Sequence, residues 1–211
     1  VLTLFAQFIV IYYITYVGGN EQAGLYNAGF SIINNYVALL FIAMSTGYLP
    51  RLVKLLTTPI QLQEEITKQL NFSIIIIGCL SLFCILFSNY IVEILFSEDF
   101  KEVAIFLRIA VFGMIFKAFS WCLGYLIIAK VDTKVLTFTG VFYNVLYAVM
   151  LVFGYEILGL RGIGYAFVLY NFVHLLGIWL ITTYKYSLLI SNKTIFLLLG
   201  MLLLNILLLL L

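Results

Sequence analysis

Residues 95–130, LFSEDFKEVAIFLRIAVFGMIFKAFSWCLGYLIIAK, read as a charged turn (Ser97, Glu98, Asp99, Phe100, Lys101, Glu102) followed by an apolar run about as long as a bilayer is thick. One lysine, Lys117, stands near the middle of that run. At about 100° per residue, Ala110, Gly113, Lys117, Ser120 or Trp121, and Gly124 share one helical face that is small and partly polar. Small residues let a neighbouring helix or a cavity come close, whereas an ammonium in hydrocarbon costs about 3 kcal/mol or more. Lys117 is therefore expected to point into protein or water. Arg108, nine residues earlier and half a turn away, is near enough to the charged turn to serve as an interface anchor.

Working outward, the composition sets the class. The chain is 65% hydrophobic and 9% charged, with a mean hydropathy of +1.19, far from the roughly 25% charged residues of soluble domains. Seven apolar runs of helical length follow one another, at about 1–17, 26–50, 72–96, 104–129, 135–155, 162–184 and 195–211. The expected fold is all-α, a polytopic transmembrane helix bundle of about seven spans. The alternating pattern of a membrane β-barrel is missing. Loops after even-numbered runs carry Arg51, Lys54, Lys68, Lys130, Lys134, Lys185 and Lys193, while those after odd-numbered runs carry only Lys101 and Arg161. Positive loops stay cytoplasmic, so the chain is expected to start on the cytoplasmic side of a multi-pass inner-membrane protein. Nothing points to nucleic acid as a partner.

Val1 opens within an apolar run, and the last run ends in unbroken leucine, so the chain reads as a piece of a longer protein. Cys79, Cys84 and Cys122 all fall inside apolar runs, where no disulfide is expected. No Cys/His cluster offers a metal site and no phosphate-binding glycine loop offers an ATP site, so neither metal nor cofactor is expected.

Polar residues inside the spans are the candidates for function. Run two places Asn27, Ser31, Asn34, Ala38 and Ser45 on one stripe, and ends at Pro50 and the anchor Arg51. Two readings stand for that stripe: interhelical hydrogen bonding, or the lining of an aqueous cavity suited to sugars. Run five carries Asn144 with Tyr143 and Tyr147. Run six carries the sole histidine, His174, with Tyr170, Asn171 and Gly177 at helical spacing. A membrane histidine relays protons or packs through hydrogen bonds, and no carboxylate accompanies this one at its depth. The candidate substrate-binding residues are thus Lys117, Asn27, Ser31, Asn34, Asn144, Asn171 and His174, with Arg108 and Arg51 as anchors. No catalytic residue is expected.

Two stretches also resemble a known family. AGLYNAGFSIINNYVALLFIAMSTGYLPRLVKL (23–55) resembles the opening helix pair of the second lobe in the polysaccharide (O-antigen) flippases, a branch of the multidrug/oligosaccharidyl-lipid/polysaccharide exporter superfamily. Residues 94–134 resemble that family's pattern through Leu95, Phe96, Ser97 and Phe100, then Gly113 and Lys117, then Gly124, Tyr125, Ala129 and Lys130. The likeness runs in order and spacing over about residues 18–184. It implies one lobe of a two-lobe exporter, residues 1–184 forming a six-helix lobe and 185–211 an additional truncated helix. The implied partners are a first lobe outside this sequence, membrane lipids and the substrate, an undecaprenyl-diphosphate-linked oligosaccharide flipped for cell-surface polysaccharide biosynthesis. Relatives often carry an acid just after the glycine of the Gly-x-x-x-Lys step, where this chain has Met114. Two other classes were weighed: a drug exporter of the same superfamily, which would need mid-membrane carboxylates, and a membrane-embedded glycan-assembly enzyme, for which the outer loops are too short.

Overall fold

The computed structural model describes residues 2–96 and 100–210, the side chain of Tyr36 excepted. Ser97, Glu98 and Asp99 of the charged turn lie outside the described residues. Among those described there is no strand, and five helical stretches are long and apolar enough to cross a membrane. The elements are α1 (Leu2–Ser31), a π-helical segment (Ile32–Val37), α2 (Ala38–Leu55), α3 (Pro59–Leu95), α4 (Lys101–Ala129), α5 (Thr133–Tyr186) and α6 (Asn192–Leu210). The seven apolar runs are carried by these five stretches because two of the expected loops shrink to single non-helical points. These are Gly19 (φ 78°) in α1, and Leu158 with Gly159 (φ 60°) in α5. Both glycines adopt a positive φ that a side chain would strain.

The point in α5 is a chain reversal. Its 54 residues would extend about 80 Å as one rod, more than twice the hydrocarbon thickness. Instead Tyr147 meets Tyr170, Tyr143 meets His174, and Gly154 meets Gly162. Each pair is nearly symmetric about Leu158 and Gly159, the mark of an antiparallel helical hairpin. Its open end is clasped by Asp132. One carboxylate oxygen accepts from the Val135 N–H and caps the first turn, while the other accepts from the Tyr186 hydroxyl and pairs with Lys185 at 2.6 Å.

Those contacts, first the Lys185 ammonium and then the Tyr186 hydroxyl, hold the Asp132 carboxyl below its ordinary 3.8, at about 2. A depressed carboxyl stabilises the fold above its unfolded value, and that contribution fades as pH falls from about 4 toward about 2. Amide protection at both ends of α5, taken relative to the intrinsic exchange rate at each pH, should fall over that window, and Asp132→Asn should remove the fall. Protection that does not change with pH would show that the clasp is not formed.

α4 lies at the centre, packed on α3 and α5 and also touching α1, α2 and α6. Its most apolar window is 72% buried, against 44% for that of α3, as expected for a helix apolar on every side. Phe106 fills the bare face of Gly29, and Phe119, Leu123 and Ile127 join a second buried cluster with Leu70, Leu175 and Leu198. α6 therefore contributes to the same core, with Met201 against Gly78 of α3.

On the small face of α4 a Cβ on Gly113 would stand 3.1 Å from Val168 Cα, so that glycine serves close packing of α4 on α5, one of the two roles open to the face, and Ala110 is fully buried. Arg108 is half-buried. Its Nε donates to Ser88 Oγ on α3, an internal tie between neighbouring helices. Arg51 lies exposed near the end of α2, paired with Glu65.

Candidate functional site

The site is built by two stripes on α5 and single contributions from three other elements. On α5 the residues Thr139, Gly140, Tyr143, Asn144 and Tyr147 recur at three- and four-residue steps, and Phe167, Tyr170, Asn171 and His174 do the same on the returning arm. With Lys117 of α4, Asn34 of the π-helical segment, and Thr3 and Gln7 of α1, they enclose a cavity of about 350 Å³. Five of the seven residues singled out from the sequence thus meet in one place: Lys117, Asn34, Asn144, Asn171 and His174.

Asn27 and Ser31 do not. The Ala38 N–H bonds Ile33 O, the wide five-residue step of a π-helix. One extra residue in a turn displaces the register by about a quarter-turn, so the stripe counted at ideal spacing is split between Ser31 and Asn34. Asn27 is left exposed, and the Ser31 hydroxyl is consumed on Ala28 O. Asn34 and Asn35 are both exposed, and only Asn34 reaches the cavity.

Lys117 is the one charged residue among the described lining residues. No described acid pairs with it, and its Nζ lies 6.0 Å from the centroid of the Phe41 ring. His174 is fixed on three sides. Tyr143 meets it edge-on at 4.4 Å, Tyr170 lies nearly parallel at 5.9 Å, and Nδ1 is 3.0 Å from Ser120 Oγ. The Ser120 hydroxyl donates to Lys117 O, so its oxygen accepts and Nδ1 carries the proton. That chain assigns the Nδ1–H tautomer and leaves Nε2 as an acceptor. Asn144 and Asn171 each give one amide hydrogen to the carbonyl four residues back, Gly140 O at 2.6 Å and Phe167 O at 2.7 Å. These bonds lock each side chain against its helix while leaving a carbonyl oxygen and a second N–H in each group's inventory.

Chemically, the cavity offers one cation, four carboxamides, an imidazole acceptor and three tyrosine rings, with no carboxylate among the described lining residues. Such a set suits an anion attached to hydroxyl-rich groups: the ammonium attracts the anion, amides bond hydroxyls, and aromatic faces stack on sugar rings. Sequence reasoning did not place Gln7, Thr139 or the three tyrosines in the lining. Helical spacing alone tied the tyrosines to Asn144 and His174, while Gln7 is brought in from a distant helix. No profile of a known protein family, no characterised protein and no solved structure matches the chain.

Proposed function

We propose that this chain is one lobe of a transporter that moves a lipid-linked oligosaccharide, an undecaprenyl-diphosphate-linked repeat unit, across the cytoplasmic membrane by alternating access, with its first residues on the cytoplasmic side. The observation that carries the reading is Lys117. A cation with no counter-ion among the described residues stands at the middle of a central helix and faces a cavity whose lining is rich in carboxamides and tyrosines. A diphosphate bearing sugars presents the complementary groups, a dense anion beside hydroxyls and ring faces. The resemblance of residues 23–55 and 94–134 to polysaccharide flippases supports the same substrate class. Transport would need a second lobe facing this one around the shared site.

A photoreactive lipid-linked oligosaccharide added to the chain in lipid nanodiscs tests this directly. Cross-links are expected on α4 and on both arms of α5, and an excess of the unlabelled compound should abolish them. Undecaprenol without the sugar diphosphate should compete poorly. Equal competition by bare undecaprenol would mean that only the lipid tail is recognised and would overturn the proposal.

A further inference from the structure

A second cleft, of about 700 Å³, opens between α2 and α3 at the end where the two helices are joined. α2 runs toward the connection and α3 away from it, so Arg51 stands opposite Glu65 and Gln69, and Met44 opposite Ser73. The lining grades in the same direction on both walls. Arg51, Glu65 and Lys68 lie nearest the connection, and Ala43, Met44 and Phe72 lie farthest from it.

The charged end is built. Arg51 Nε bonds Glu65 Oε1, Nη2 donates to Gln69 Oε1 at 3.3 Å, and Nη1 lies across Gly47, where a Cβ would stand 2.9 Å from it. Gln69 is only 6% exposed, and its Nε2 donates to Ser73 Oγ, which is 3.3 Å from Cys122 Sγ on α4. The guanidinium is therefore fixed by a network rooted in the core. Lys68, one turn from Glu65, is exposed and forms no ion pair among the described residues. Two cations face one carboxylate.

We propose that this cleft binds an anionic phospholipid, its phosphate held by Arg51 and Lys68 and an acyl chain lying along Met44 and Phe72. A soluble anion would use the charged end and leave the apolar half empty, whereas a lipid matches the whole gradient, phosphate outermost and hydrocarbon inward. The site rests on α2 and α3 crossing a membrane, and is independent of what the central cavity carries.

Native mass spectrometry of the chain released from micelles holding equal phosphatidylglycerol and phosphatidylcholine counts the retained lipid. One phosphatidylglycerol should be kept in preference to phosphatidylcholine, and Lys68→Glu should lower that preference about fivefold or more. Lys54→Glu makes the same charge change at the same end outside the cleft, and should leave the preference unchanged. Equal losses in both variants would reduce the effect to surface charge and overturn the site. Ala43→Trp, which fills the apolar half without altering charge, should also release the lipid; undiminished retention would overturn the acyl placement. Displacement by inorganic phosphate would assign the cleft to a free anion and overturn the lipid. A chain that stays dispersed after detergent removal would fail the membrane reading itself, a result separable from any lipid count.

Discussion

Lys117→Met is expected to weaken binding of a diphosphate-linked oligosaccharide lipid by about tenfold or more, because a hydrogen bond to a charged group contributes about 1.5–3 kcal/mol. Methionine keeps the length and apolar stem of lysine while removing the ammonium, so the cavity is not enlarged. The accompanying change in stability distinguishes a binding role from a structural one. No described carboxylate pairs with Lys117, so removing its charge breaks no ion pair among the described residues and takes a partly buried cation out of the protein interior. The variant should therefore melt at or above the temperature of the unaltered chain. Lys117→Arg should retain part of the affinity, since guanidinium also binds phosphate but with a planar fork in place of a point charge. Titration of nanodisc-embedded protein with the labelled lipid, alongside a thermal melt, gives both quantities. Unchanged affinity in Lys117→Met would remove the lysine from the binding site. Lost affinity together with a much lower melting temperature would mean that it holds the fold instead.

The largest effect on stability is expected from Gly162→Ala, at about 3 kcal/mol, the upper end of the cost of overpacking. A Cβ on Gly162 would overlap Gly154 O far inside van der Waals contact, and one on Gly154 would stand 2.5 Å from Gly162 O. The obstacle on each side is backbone, which cannot rotate away as a side chain can. The two arms of α5 would have to part, and the edge-on pairs Tyr147 with Tyr170 and Tyr143 with His174 would part with them. Gly200→Ala is the control. That glycine is helical with nothing within 4 Å of the added carbon, so alanine there should stabilise by about 0.5–1 kcal/mol through backbone entropy. Equilibrium unfolding in mixed micelles measures both variants. If they shift stability equally, the arms of α5 are not in contact at Gly154 and Gly162.

What the sequence determined by itself is whatever depends on local order along the chain. Apolar runs of bilayer length, the 3.6-residue period and the dearth of charge specify long apolar helices. The same local order put Asn144 beside Tyr143 and Tyr147, and His174 beside Tyr170 and Asn171, so each arm of the cavity was already visible as a stripe. Tertiary structure alone decided which stripes meet. A single π-helical turn removed Asn27 and Ser31 from the site and kept Asn34, a register change of one residue that leaves no mark in composition. Gly113 became a packing contact and Arg108 a tie to Ser88 because the approach of α5 and α3 to α4 consumed the space and donors those residues held open. Gln7 entered the lining from the far end of α1 for the same reason: the distance between stripes is set by how helices pack, and packing is a property of pairs of segments that no single segment encodes.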